Sequence, residues 1–245
     1  MRCALYNGCS FVWGDELINP EESRFSKLIS DHFGIEEHNL AIRGGSNDRI
    51  LRTTVDYISS GNRPDFAIIV WSGTDRIEYF SPIQEDVYDE VMLQASPSRL
   101  DMPRFKRYKK PLTTYYSEIS SREHESLRTL NYMLTVQTLF EALQIPLLQF
   151  QFGFVHSRDV KNILSLNRID DHWKRFYEYY TSRLNLLKPY SKYGLFDGKS
   201  LIDLSASIND IVIESNSYGH PLESSQVLFK EYMLELLKEN YDIGV

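Results

Sequence analysis

Apolar residues recur along this chain with the spacing of strands in some stretches and of helices in others, and their order predicts most of its elements. Residues 2–9, RCALYNGC, read as a short buried strand ending at Gly8. Asn19-Pro20-Glu21-Glu22 then supplies an N-cap, a proline at the first helical position and a capping-box glutamate. The helix this predicts has Phe25, Leu28, Ile29 and Phe33 on one face and stops at Gly34. A second strand is expected over Asn39 to Ile42, followed by a helix with Ile50, Leu51, Thr54, Val55 and Ile58 on its apolar face and Gly61 at its end. PDFAIIVW, residues 64–71, is the clearest strand. Strand, helix, strand, helix, strand without hairpin turns is the signature of a parallel sheet with crossover helices.

Residues 81–111, SPIQEDVYDEVMLQASPSRLDMPRFKRYKKP, break the rhythm with four prolines and a change from acidic to basic character, and read as an insertion or lid. From Leu112 to Leu143 the spacing of Tyr116, Ile119, Leu127, Leu130, Leu134, Leu139 and Leu143 predicts one long helix or two joined ones, so residues 81–144 form an inserted region of a single domain spanning 1–245. IPLLQFQF, residues 145–152, is the next strand. Trp173, Phe176, Tyr177, Tyr180 and Leu184 mark a further helix, and Phe229, Met233, Leu236 and Leu237 the last one. The tyrosines at 177, 179 and 180 are expected to pack a core or an oligomer interface rather than stack on sugar rings.

Composition narrows the functional classes. Apolar residues make up 42% and charged residues 25%, and 16 Tyr and 13 Phe supply the aromatic surface of a folded domain. A net charge of −7 opposes bulk binding to nucleic acid or to an anionic membrane. The run RLDMPRFKRYKK, residues 99–110, is a local exception in which basic residues surround Phe105 and Tyr108, and it is expected to be a solvated loop or a lid more than a nucleic-acid contact. Cys3 and Cys9, the only cysteines, form no CxxC and no metal-ligand spacing with histidine, so neither a disulfide scaffold nor a zinc site is expected. MRCALYNGCS lacks a charged region followed by an apolar one, and no stretch approaches the roughly 20 apolar residues of a membrane span. A reduced cytoplasmic protein, with no membrane partner, is the expectation.

Three segments bring candidate chemistry to the carboxyl edge of the sheet, where open α/β folds bind ligands. In Gly8-Cys9-Ser10-Phe11 a strand end delivers a serine, which is either a nucleophile or a small residue closing a turn. In NLAIRGGSNDRI, residues 39–50, a strand runs through glycines into a helix, turning backbone N–H groups toward the same edge. In SYGHP, residues 217–221, a histidine precedes a proline at the mouth of the final helix. A hydroxyl becomes a useful nucleophile when a base takes its proton and fixed donors receive the oxyanion, so Ser10 requires companions of this kind. Cys9 is expected to be a buried packing residue.

In this order the segments resemble the SGNH or GDSL-type esterases and lipases. GCSFVWG looks like the first conserved block, with Ser10 as its nucleophile where the family more often shows GDS; Asn39 to Gly45 looks like the second, with Gly44 as oxyanion donor. PDFAIIVWSGTDR resembles the third, its tetrad being Gly73-Thr74-Asp75-Arg76, and Gly219-His220-Pro221 resembles the last, making His220 the base. The resemblance covers about 75 residues at the N-terminus and about 25 at the C-terminus. It implies a flavodoxin-like three-layer sandwich, a parallel sheet flanked by helices with a helical insertion. GGSNDRI and WSGTDRIEYF look closest to SGNH-like proteins of tailed bacteriophages.

Two positions depart from the family's pattern. Asp75 stands where an asparagine amide would donate to the oxyanion, and a carboxylate there repels developing negative charge unless protonated. Asn47 or Arg76 would have to supply the missing donor. Ser217 occupies the place of the triad acid three residues before the histidine, while Asp210 and Glu214 are near without the expected spacing. Bland readings stand beside these: Asp75 and Arg76 pair at a loop start, and the glycines serve any strand-to-helix turn. The function the resemblance implies is hydrolysis or transfer of an acyl group on a small-molecule or glycan ester by a Ser10–His220 pair, without metal or organic cofactor. The alternative is a lapsed domain of the same fold with a binding or structural role.

Overall fold

The computed structural model of the chain describes residues 2–80, 92–151, 171–187 and 220–243. Strand β1, Cys3–Asn7, is wholly buried and lies between β2, Glu36–Asn39, and β3, Phe66–Trp71; β6, Leu147–Gln151, pairs with the far side of β3. Every pairing in this β2-β1-β3-β6 sheet is parallel. The connections that a parallel sheet demands are helices: α1, Ser10–Trp13, α2, Pro20–Ser23, and α3, Phe25–Phe33, lie between β1 and β2, and α4, Asn47–Ser59, lies between β2 and β3. Two short antiparallel strands, β4, Ile77–Phe80, and β5, Met92–Ala95, form a separate ribbon. Beyond it come α5, Lys109–Thr114, a π-helical turn over Tyr115–Ile119, and α6, Arg122–Ala142; α7, Asp171–Leu187, and α8, Glu223–Tyr241, follow β6.

Alternation along β3 makes the three layers. Ala67, Ile69 and Trp71 face a core shared with Ile50 and Ile58 of α4, Leu130, Met133, Val136 and Phe140 of α6, and Tyr180 and Leu184 of α7. Phe66, Ile68 and Val70 face the opposite core, shared with Val12, Phe25, Ile29 and, from α8, Phe229, Met233 and Leu237. A strand covered on both faces reads as an unbroken apolar run, which is why residues 64–71 are legible as they are. The architecture is the expected parallel sheet flanked by helices.

Several local expectations are corrected. The second strand runs over Glu36–Asn39, three residues before the predicted Asn39 to Ile42, because β1 pairs Cys3 with Glu36 and Tyr6 with Asn39. The helix predicted from Asn19 is divided, and the Asn19 side chain makes no cap hydrogen bond. Arg24 is extended, its guanidinium forks onto Glu37 at 2.8 and 2.6 Å, and the freed Phe25 N–H donates to Gln226 of α8 at 3.0 Å. The region read as a helical insertion also carries the β4–β5 ribbon, whose small core of Ala95, Phe105 and Leu112 encloses Phe105 completely. Tyr108 packs edge-on against Tyr79, and Lys109 pairs with Asp101 at 2.5 Å, so the aromatics of the basic run serve packing.

The stretch from 112 to 143 is two helices, since Ser121 is extended and caps α6 through the His124 N–H. Its buried stripe is Glu125, Ser126, Thr129, Leu130, Met133, Val136, Gln137 and Phe140, with the predicted Leu127, Leu134, Leu139 and Leu143 on its flanks. Polar members of the stripe are matched: Gln137 accepts from Gln149 of β6 at 2.9 Å, and Gln149 accepts from the Trp71 indole at 2.8 Å. Tyr180 is core and Tyr179 is exposed beside Arg183, while the side chains of Trp173 and Tyr177 lie outside the described residues.

Candidate active site

The site begins with the way β1 ends. Asn7 is buried, and its amide donates to Ile50 O, Thr53 Oγ1 and Thr54 Oγ1 of α4 at 3.1, 2.8 and 2.9 Å, while its Oδ1 accepts the Gly8 N–H at 2.8 Å. This fixes the strand's last peptide against a helix of the neighbouring layer. Gly8 is required there by close approach: a Cβ would overlap Val12 Cγ2 and lie 3.0 Å from Val70 O. Cys9 is buried as expected, and Ser10 opens α1 directly after it. The glycine turn before α4 runs alongside, since a Cβ on Gly45 would lie 3.1 Å from Gly8 O. Gly44 is left-handed at φ 73°. Among the described residues neither the Ser10 nor the Gly44 backbone N–H has a hydrogen-bond acceptor.

His220 arrives from the other end of the chain. It precedes Pro221, whose carbonyl accepts from Gln226 at 3.2 Å, and the same glutamine caps α3 through Phe25, which fixes the start of α8 beside the α3 helix. The imidazole Nε2 lies 2.8 Å from Ser10 Oγ, across 210 residues of sequence, and the ring packs on Phe11 with centroids 5.3 Å apart. Ser10 and His220 are 5% and 6% exposed. The turn that follows α1 brings two carboxylates to the ring: Glu16 Oε1 is 3.5 Å from Nδ1 and Asp15 Oδ2 is 3.9 Å from Nε2. Asp15 is paired with Arg43 at 2.7 Å, and the Arg43 guanidinium stacks over Trp13 at 4.1 Å.

The other candidates belong to a brace at the end of β3. Asn47 donates to Ser72 O at 3.2 Å and to Thr129 Oγ1 at 3.1 Å, and its Oδ1 accepts the Ser72 N–H at 2.7 Å. Both amide hydrogens are thereby committed, which leaves Asn47 none to direct at an oxyanion. Arg76 donates to Ser72 Oγ at 2.8 Å instead of pairing with Asp75. Arg128 of α6 holds the same loop through Thr74 O and Arg76 O at 3.3 and 3.1 Å. Asp75 Oδ1 packs on Gly73, and its charge bears on the groups of the insertion, helping to raise both the Glu125 carboxyl and the Tyr116 phenol, where burial is the larger cause. No hydrogen bond or ion pair of Asp75 or Arg76 among the described residues reaches Ser10 or His220. The loop nonetheless lies at the carboxyl edge that Ser10 occupies, because β1 and β3 are adjacent and parallel.

The structure therefore joins Ser10 and His220, sets the Gly44-Gly45 turn beside them, and gathers Asn47 and Arg76 around Ser72. Ser217, Gly219, Asp210 and Glu214 lie outside the described residues. Asp15 and Glu16 escape the sequence reading although they follow Ser10 by only a few positions, since an Asp-Glu pair in a turn carries no signal until the histidine is placed. Among the described residues no group of three or more His, Cys, Asp or Glu could hold a metal ion, and no helix is long and apolar enough to cross a membrane.

Comparison with solved structures finds chains similar to this one. A G-D-S-L family protein from Desulfitobacterium hafniense DCB-2 aligns over 97% of this chain and 100% of its own, with TM-score 0.51 and 11% identity. The psychrotrophic esterase EstA from Pseudoalteromonas sp. aligns over 98% of each chain at TM-score 0.49 and 12% identity. A catalytic mutant of Axe2, an acetylxylan esterase from Geobacillus stearothermophilus, covers 96% of this chain and 94% of its own at TM-score 0.46 and 14% identity. At such identity the first of these likenesses shows the fold, that of the SGNH hydrolases. No curated protein matches the sequence. The profile of a family of unknown function, DUF6071, matches residues 20–238.

Proposed function

Because the chain belongs to DUF6071, a family of unknown function whose name carries no activity, its chemistry has to come from the site, and we propose that it is a serine ester hydrolase. The observation that carries this reading is the 2.8 Å contact between Ser10 Oγ and His220 Nε2 at the carboxyl edge of the sheet. In the proposed reaction Ser10 Oγ attacks the ester carbonyl carbon and its proton passes to His220 Nε2. The negative charge that develops on the carbonyl oxygen is received by the backbone N–H groups of Ser10 and Gly44. The bond to the alcohol then breaks, with His220 Nε2 returning the proton to the leaving oxygen. Water, deprotonated by the same nitrogen, then attacks the acyl carbon, and as the bond to Ser10 Oγ breaks His220 Nε2 returns the proton to that oxygen, releasing the carboxylic acid. Arg76, whose guanidinium has donors beyond the one given to Ser72, stands at the same sheet edge for an anionic part of the substrate.

With so little of Ser10 and His220 exposed, the reading favours short acyl groups such as acetyl on a small-molecule or glycan alcohol. Ser10→Ala is expected to abolish hydrolysis of p-nitrophenyl acetate and labelling by a fluorophosphonate, with the thermal unfolding midpoint unchanged. Turnover by Ser10→Ala equal to that of the wild type would exclude the mechanism. A wild-type chain that takes no label and shows no turnover would instead support the binding or structural role of a lapsed SGNH-like domain.

A further inference from the structure

We infer that Glu16 is the acid that positions His220, supplied by the turn after the nucleophile's own short helix. The inference rests on the Ser10–His220 reading and deepens it. A serine–histidine pair works when a third group holds the imidazole with Nδ1 protonated, so that Nε2 faces the hydroxyl with its lone pair, and when that group balances the imidazolium that forms. Here Nε2 faces Ser10 at 2.8 Å, and among the described residues the carboxylate on the opposite side of the ring is that of Glu16, 3.5 Å from Nδ1. Asp15 does not meet this requirement, because its carboxylate lies on the Nε2 side at 3.9 Å and is held by Arg43.

The backbone brings Glu16 there by a route that side chains rarely take. Gly14 closes α1 in the left-handed region at φ 86°, and the Gly14 and Asp15 N–H groups both donate to Ser10 O at 2.9 Å. Glu16 is itself left-handed at φ 69°, a conformation that disfavours any residue with a Cβ, and Leu17 is buried immediately after it. A residue kept in a strained conformation beside a candidate nucleophile is an expected mark of function, and here the strain turns the carboxylate toward the ring. Nucleophile and acid then come from one segment of seven residues, with the base alone crossing from the segment before the C-terminal helix.

Glu16→Gly separates a positioning role from a structural one, since glycine accepts φ 69° without strain and removes the carboxylate. The expected result in the full chain is an unfolding midpoint equal to or above that of the wild type, with kcat for p-nitrophenyl acetate lower by about 100-fold and KM little changed. Because Glu16 acts through the ring, adding Glu16→Gly to His220→Ala should cause no further loss of turnover. Nitrogen-15 NMR of His220 reads the same role without turnover: the Nδ1-protonated tautomer should dominate in the wild type and decline in Glu16→Gly and in Glu16→Gln. An unchanged tautomer in both variants would overturn the role of Glu16, as would a loss of turnover that persists undiminished in the His220→Ala background. Failure of the Ser10 reading is recognised separately, by a wild type that resists fluorophosphonate.

Discussion

Asn47 offers the sharpest test of how the site is built, because two roles for its amide predict opposite outcomes. Replacing it by alanine removes three hydrogen bonds that join α4 to the end of β3 and to α6. Thr129 Oγ1 keeps its bond to Glu125 O at 3.0 Å, so the groups left without a partner are the N–H and C=O of Ser72, a residue only 4% exposed. A buried polar group stranded in this way costs about 1–3 kcal/mol, which puts the two together at roughly 3 kcal/mol after partial relaxation. Alanine is a good helix former at this first position of α4 and recovers only a few tenths of that. For a chain of this size about 3 kcal/mol lowers the unfolding midpoint by roughly 6–12 °C. The assay is urea and thermal unfolding of Asn47→Ala, with kcat measured well below the midpoint. An amide that served the oxyanion would instead cost about 100- to 1000-fold in kcat and little stability. A midpoint within about 2 °C of the wild type, together with such a loss of turnover, would refute the brace.

Two further perturbations test neighbouring parts of the molecule. Burial is the main reason the Glu125 carboxyl is held above its ordinary value of 4.5, with the Ser120 hydroxyl opposing it, Asp75 reinforcing it and Arg128 opposing. The folded chain then binds the proton more tightly than the unfolded one, so this contribution to stability is full below pH 4.5 and is lost as pH rises through the folded value. Glu125→Gln should therefore gain on the wild type in urea midpoint as pH is raised from about 4 to about 7, and parallel curves would dismiss the burial effect. Gly8→Ala places a methyl group against Val12 and the Val70 carbonyl, both in buried residues, and should cost about 1–3 kcal/mol. The same shift displaces Ser10, so fluorophosphonate labelling of Gly8→Ala should slow, and unimpaired labelling with normal stability would mean that the close approach does not matter.

Much of the scaffold was legible because its signals are local. The run FAIIVW has no polar residue for a solvent face, so it had to lie at the centre of a parallel sheet, and both of its faces are covered. The glycine at 34 ended a helix as its left-handed freedom suggests. Where the elements depart from that local pattern, the deciding partner is distant. Nothing near Arg24 in the sequence indicates that it pairs with Glu37, or that Gln226 caps the helix beginning at Phe25. In α6 the buried stripe includes Thr129 and Gln137, which apolar spacing does not mark, since polar residues enter a core only when partners such as Asn47 and Gln149 are waiting.

The site divides along the same line. Ser10, Gly44 and His220 could be singled out because each stands at a strand-to-helix turn or a helix start, places that chain chemistry marks with small residues, glycine and proline. The meeting of Ser10 with His220 depends on the sheet setting the start of α8 beside the end of β1, and the commitment of Asn47 to Ser72 depends on α4 packing against β3. Glu16 is the extreme case: six residues from Ser10 in sequence, it reaches Nδ1 through a left-handed turn around Gly14, and no pattern of residue types marks it. Sequence alone determined the layers of this protein, because burial is written in the spacing of apolar residues along each element. Tertiary structure alone decided which polar groups face one another, because hydrogen bonds and ion pairs depend on distances of a few ångströms between segments whose separation in the chain says nothing about them.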